Sequence, residues 1–167
     1  MSLIVTTEFV PADHAFLDGE RRAHFPPERN LLAAHLTMFH ALPPSVESEV
    51  RRRLAEAADR AQPFAMLAGL HSLGSGVAYT VQSDELEEIR ADLADAFKGC
   101  LTAQDGQGWR PHVTIQNKVT SAVARDLLIA KQQHFVPRPL GLKGLALHLY
   151  LGGPWETLKR WSFRGVK

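Results

Sequence analysis

Two four-residue stretches, His35-Leu36-Thr37-Met38 and His112-Val113-Thr114-Ile115, constrain this chain more than any other feature. Both read histidine, hydrophobe, threonine, hydrophobe. They stand 77 residues apart in a chain of 167, close to half its length. Each suits a strand and is followed by a helical pattern and then by two more strands. The first half thus reads strand–helix–strand–strand, and the second half repeats it. Elsewhere the halves share little sequence, so the repetition is structural. We expect an α+β fold of two duplicated lobes related by an approximate two-fold axis. Their antiparallel sheets should surround a central cleft with helices on the outside. Residues 1–167 are read as a single two-lobed domain with interleaved lobes, a size that one core supports.

Residues 3–10 are β-branched and compatible with a strand. Residues 11–30 carry Pro11, Asp18-Gly19 and Pro26-Pro27 and read as a long, therefore functional, loop. Residues 34–42 read as a strand ended by Pro43-Pro44. Ser45 is the expected N-cap of a helix whose Val46, Val50, Leu54, Ala57, Ala58 and Ala61 share one face. Two strands follow at 63–70 and 77–82. Asp84 and Glu87 form a capping-box pattern for a helix burying Leu86, Ile89, Leu93 and Phe97. A Gly-rich loop at 105–108 leads to strand 112–116. Thr120 then caps a helix with Val123, Leu127, Leu128 and Ala130 inward. Strands 140–151 and 156–164 are separated by Gly152-Gly153-Pro154.

In a strand, alternate side chains share a face. His35 and Thr37 therefore lie opposite Leu36 and Met38, and His112 and Thr114 opposite Val113 and Ile115. The apolar partners should pack under helices. A pseudo-two-fold then turns both His/Thr faces toward one cleft. Paired imidazoles suit phosphodiester chemistry. One acts as base toward water or a ribose hydroxyl, and the other protonates the leaving oxygen. Threonine hydroxyls donate to the non-bridging oxygens and hold the phosphorus for in-line attack. One His-x-Thr is a weak signal; two at equivalent positions of a repeat are a strong one.

These residues, His35-Leu36-Thr37-Met38 and Arg110-Pro111-His112-Val113-Thr114-Ile115, resemble the paired motifs of the two-histidine (2H) phosphoesterase superfamily. That group includes bacterial 2′–5′ RNA ligase-like proteins and RNA 2′,3′-cyclic phosphodiesterases. The resemblance covers the whole chain in topology and only the two motifs in specific residues. It implies a bilobal fold with a water-filled cleft, His35 and His112 as the acid/base pair, and Thr37 and Thr114 as phosphate ligands. Many members carry an arginine soon after the second motif. Here Gln116-Asn117-Lys118 stands there, so Lys118 supplies a charge without the bidentate fork.

Further candidates lie outside the motifs. Arg21, Arg22, His24 and Arg29 in the 11–30 stretch would contact phosphate as a lid, or form a solvated surface. Tyr79 would stack a base, or pack in the core. Trp109 would wall the cleft, whereas Trp155 and Trp161 read as core or turn residues. His40, His71 and His148 read as structural or exposed, and His14 and His134 as surface residues. Arg138, Lys143, Lys159, Arg160, Arg164 and Lys167 against Glu156 alone give residues 138–167 a local charge of +5. That charge would steer a polyanion or protect a strand edge.

Composition narrows the class. Nineteen Lys and Arg against 18 Asp and Glu, a net +1, are not those of a nucleic-acid coat. The single cysteine, Cys100, excludes an intrachain disulfide and a multi-cysteine zinc site. No metal-ligand spacing such as H-x-x-x-H occurs, so no metal and no cofactor are expected. No apolar run approaches the ~20 residues of a membrane span, and Met1-Ser2-Leu3-Ile4-Val5 does not open a secretory signal. A cytoplasmic protein with no membrane association and no obligate protein partner is expected. Its ligand would be a nucleotide or RNA end bearing a cyclic phosphate. The leading reading is a metal-independent phosphodiesterase acting on 2′,3′-cyclic phosphate or 2′–5′-linked nucleotides or RNA. The alternatives are a 2′–5′ RNA ligase and a non-catalytic nucleotide- or RNA-binding module.

Overall fold

The computed structural model describes residues 1–165. Strand β1 (Ser2–Phe9) is followed by helix α1 (Pro11–His24), strand β2 (Leu36–Leu42), helix α2 (Glu47–Ala58) and strand β3 (Met66–Ser72). The second half continues with β4 (Val77–Gln82), α3 (Asp84–Ala96), the short α4 (Ala103–Gly106), β5 (His112–Gln116) and α5 (Ser121–His134). It ends with β6 (Arg138–Pro139), β7 (Leu142–Tyr150) and β8 (Glu156–Ser162). Among the described residues the strands form two four-stranded antiparallel sheets, ordered β2-β1-β7-β8 and β5-β4-β3-β6.

This order revises the repeat. The repeating unit begins one strand and one helix earlier than the motifs suggest. It is β1–α1–β2–α2–β3 in the first half and β4–α3–β5–α5–β7 in the second, with α4 and β6 inserted. The last strand of each unit is exchanged: β3 pairs with β4, and β7 pairs with β1. A second sequence echo marks those strands, Leu67-Ala68-Gly69-Leu70 and Leu142-Lys143-Gly144-Leu145. Leu70 pairs with Tyr79, itself opposite Val113, and Leu145 pairs with Thr7, itself opposite Leu36, so the two echoes hold equivalent places.

The 11–30 stretch is not a loop. Pro11 occupies the first turn of α1, where its missing N–H is harmless. Helix α1 buries Leu17 and Arg21, four residues apart, and Gly19 is carried inside it by this packing. A polar buried face and an internal Asp-Gly concealed the helical period. Two caps also move. Ser45 lies in a 3-10 turn (Pro44–Val46), and α2 starts at Glu47 without a side-chain cap. Ser83, not Asp84, caps α3 by accepting from the Leu86 N–H. Thr120 caps α5 as expected, but α5 packs through Ala124, Leu127 and Leu128, leaving Val123 exposed.

The alternation expected in the motif strands is present. Leu36, Met38, Val113 and Ile115 are fully buried, each contributing roughly 2 kcal/mol, and belong to one apolar cluster. Ala78 and Ala146, on the opposite faces of their strands, are buried but lie outside that cluster. Each motif strand bulges immediately after its threonine. Thr6 faces Thr37 but Val5 faces Phe39, and Ala78 faces Thr114 but Val77 faces Gln116. The helices cross-tie the halves. Arg21 of α1 donates to the Thr114 carbonyl at 3.0 Å, and Arg90 of α3 donates to the Met38 carbonyl at 2.8 Å. Both arginines are almost wholly buried, stacked over Phe25 and Phe39 at 4.3 and 4.0 Å.

Candidate active site

The two motif strands β2 and β5 form edges of their sheets and meet across the molecule. His35 stands one residue before β2, and His112 is the first residue of β5. The two imidazoles are held alike. His35 Nδ1 donates to the Ala33 carbonyl, and His112 Nδ1 donates to the Arg110 carbonyl, both at 2.8 Å. A carbonyl oxygen only accepts, so Nδ1 carries the proton in each ring and Nε2 is left for other work. Burial pushes the His35 imidazole down to about 4. The Ala33 carbonyl opposes that shift, while Arg21, His112 and His40 add to it.

The threonines are fixed through their backbones. Trp109 Nε1 donates to the Thr37 carbonyl at 3.1 Å, and Arg21 serves the Thr114 carbonyl. A cavity of about 420 Å³ lies between His35, just before β2, and Thr114 of β5, with Asn117, Arg29, Tyr150 and Trp155 also lining it; Thr37 and His112 line neither this cavity nor the groove beside it. A wider groove of about 600 Å³ continues from His35 over β1, β7 and β8, past His148 and Trp155 to Lys143 and Arg160.

Several expected residues are elsewhere. Tyr79 is in register with Val113 on the helix side of its sheet. It is almost fully buried near Phe16 and Phe135, and its hydroxyl donates to Glu20 at 2.8 Å. Burial and Glu20 push that hydroxyl well above the usual tyrosine range. It is a packing residue and does not stack a base in the cleft. Arg22 is exposed on α1 and paired with Asp18 at 2.8 Å. His24 ends α1; burial and the nearby Lys131 lower its imidazole, against the pull of Glu20. Neither residue lines the cleft cavities. Lys118 sits exposed in a left-handed turn at φ 63°, and its neighbour Asn117 lines the cavity instead. Arg21 borders the cavity, but its guanidinium is committed to Thr114 and to Asn30 at 3.1 Å.

Three of the six cations of the basic C-terminal stretch pair with acids from elsewhere. Arg138 pairs with Asp13, Arg160 with Glu8 and Arg164 with Asp59. Lys167 lies outside the described residues. His40 donates to Asp105, which also accepts the His40 and Ala41 N–H groups. Burial pushes the Asp105 carboxyl up, but those hydrogen bonds win and hold it below its ordinary value. Among the described residues no group of three or more His, Cys, Asp or Glu is placed to hold a metal ion. No helix among them is long and apolar enough to cross a membrane.

Three site residues escaped sequence reasoning. Trp155 packs edge-on against His35, ring centroids 4.8 Å apart. His148 lies behind it at 5.4 Å, clamped between Thr6 Oγ1 at 2.8 Å and Thr157 Oγ1 at 3.0 Å. Burial, with Arg160 and His35 nearby, lowers the His148 imidazole to about 4. His71 packs edge-on against His112 at 5.6 Å and is bonded to Thr80 Oγ1 at 2.7 Å. The alternation Leu147-His148-Leu149 marks one of them as facing away from the core.

Comparisons agree with this architecture. The crystal structure of TT0787 from Thermus thermophilus is similar at a TM-score of 0.64 with 17% identity, covering 99% of both chains. The crystal structure of E. coli LigT complexed with 3′-AMP is similar at 0.61 with 18% identity over 98% of both chains. LigT complexed with NADP+ gives 0.60 with 17% identity over 97% of both. No curated protein sequence matches. The family model for the 2′-5′ RNA ligase superfamily matches residues 9–154, which include both histidine motifs and the strands that carry them. The chain therefore belongs to the 2′-5′ RNA ligase superfamily of 2H phosphoesterases.

Proposed function

We propose that this chain is a phosphodiesterase, working through its imidazoles without a metal, that opens 2′,3′-cyclic phosphates or cleaves 2′–5′ linkages of nucleotides or RNA. Superfamily membership gives the coarser reading, a phosphoesterase or ligase-type enzyme. The observation that carries the finer one is the matched hold on His35 and His112. Each spends Nδ1 on the carbonyl two residues back and keeps Nε2 for proton transfer. LigT, which shares the fold, has been crystallised with 3′-AMP, and this supports a nucleotide as the ligand class.

The two roles divide. With its imidazole pushed to about 4, His35 is neutral at pH 7 and ready to accept a proton on Nε2 from the attacking water, or from a ribose hydroxyl at a 2′–5′ linkage. His112 acts in its doubly protonated form, giving its Nε2 proton to the leaving oxygen while Nδ1–H stays on the Arg110 carbonyl. Thr37 and Thr114 donate to the non-bridging oxygens and hold the phosphorus between the rings. His35→Ala and His112→Ala should each lower turnover of 2′,3′-cyclic nucleotides by about 100- to 10,000-fold while leaving the protein folded. Full activity in either variant sinks the reading. Supplying RNA ends with 2′,3′-cyclic phosphate and 5′-hydroxyl separates hydrolysis from joining. Joined product would give the ligase alternative. Binding without turnover would give the non-catalytic alternative.

A further inference from the structure

One carbonyl hydrogen bond does not fix an imidazole, because the ring still pivots about it. Both rings stand at the start of an edge strand, but only His35 is enclosed by the walls of the cleft cavities; His112 borders neither. Its second restraint is a ring. His71 projects from β3 and meets His112 edge-to-face at 5.6 Å and 76°. His71 is itself fixed, because Nδ1 bonds to Thr80 Oγ1 at 2.7 Å, and Thr80 is the register partner of His112 on β4. Three neighbouring strands thus converge on one ring. His35 receives the same treatment from an unrelated place, the residue before β8, where Trp155 meets it at 4.8 Å and 63°. In the first sheet the position equivalent to His71 is Ala146. The brace was therefore added separately on each side.

We propose that His71 is a positioning residue for the reaction, a neutral aromatic brace that holds His112 with Nε2 toward the cleft. The proposal rests on the paired-imidazole reading of the site. The titratable groups facing His112 are His71 from β3, Arg110 from the segment before β5, and His35 from the opposite strand; β4 offers only the Thr80 hydroxyl. Burial, then the charges of His112 and Arg110, lower the His71 imidazole, so the brace stays uncharged at neutral pH.

The test uses the full chain with 2′,3′-cyclic AMP, comparing His71→Ala, His71→Phe and His71→Asn. His71→Ala should lose about tenfold in kcat with KM unchanged, the signature of a misaimed catalytic ring. His71→Phe, which keeps a ring, should recover most of that loss. His71→Asn, which keeps a polar group near Thr80 but no ring, should not. Wild-type kcat in His71→Ala, or equal losses in the Ala and Phe variants, overturns the proposal. A second readout needs no turnover. Long-range proton–nitrogen spectra of the ligand-free protein, recorded where the His112 ring is neutral, should show it as a single Nδ1–H tautomer, averaging toward a mixture in His71→Ala. If the wild type does not turn over 2′,3′-cyclic AMP, the functional reading fails while this spectrum still decides on the brace. An unchanged His112 spectrum refutes it.

Discussion

The clamp on His148 makes a prediction about stability rather than turnover. The ring is 8% exposed, held between Thr6 and Thr157, with its imidazole lowered to about 4 against 6.5 for the free side chain. The folded state prefers this histidine neutral, whereas the unfolded chain protonates it as pH drops below 6.5. Its contribution is therefore complete above pH 6.5 and is lost as pH falls from there to about 4. A shift of that size corresponds to about 3 kcal/mol, a large share of a typical domain's stability. Urea unfolding of the wild type and His148→Gln at intervals between pH 7 and 4 isolates the effect, because the carboxylates titrate alike in both. The wild type should lose about 3 kcal/mol more than the variant over that interval. Parallel curves would mean that His148 charges as easily in the fold as outside it, refuting the argument from burial.

Three further outcomes follow from particular contacts. A Cβ at Gly144 would stand 2.1 Å from the Trp161 carbonyl oxygen on β8, so Gly144→Ala should lower the unfolding free energy by about 2–4 kcal/mol and move the urea midpoint down. An unchanged midpoint refutes that. Arg21→Met removes the donor to the Thr114 carbonyl and should cost about 1–3 kcal/mol in unfolding experiments, with a raised KM for cyclic nucleotide. Loss of stability with unchanged KM would detach Thr114 from binding. Trp155→Ala frees the His35 ring and should lower kcat/KM about tenfold with little change in melting temperature; wild-type kinetics would refute its role.

Residue alternation was enough to read the local structure of both motif strands, because Leu36, Met38, Val113 and Ile115 are buried as their parity requires. The hairpin pairs β3–β4 and β7–β8 were legible from their short connections, but the pairing of β1 with β7 was not. That pairing joins residues more than 130 positions apart, such as Phe9 and Leu142, and the Leu-x-Gly-Leu echo that marks the exchanged strands is only four residues long. Helix α1 was hidden because its buried face pairs Leu17 with an arginine, which hydrophobic periodicity counts as polar. Sequence left Tyr79 open between stacking a base and packing, because parity orders residues within one strand and does not say which face meets the helices; the structure places it in the packing. His40 shows the converse limit. The bulge at Met38-Phe39 interrupts alternation before it, and Asp105 rather than parity determines its place. The braces Trp155 and His71 come from segments remote in sequence from the rings they touch, so no spacing rule reaches them.

The exchange of β3 and β7 also dictates an order of assembly. During synthesis the first sheet can pair only β1 with β2 until residues 142–150 are available, and β1 keeps an open edge throughout that time. The second sheet can gather β3, β4 and β5 much earlier, since those strands span residues 66–116. The wall bearing His112 thus lacks only the two-residue β6 while the wall bearing His35 still awaits its central strand and Trp155. A ribosome-bound chain stalled before residue 142 would carry both histidine motifs and no working cleft.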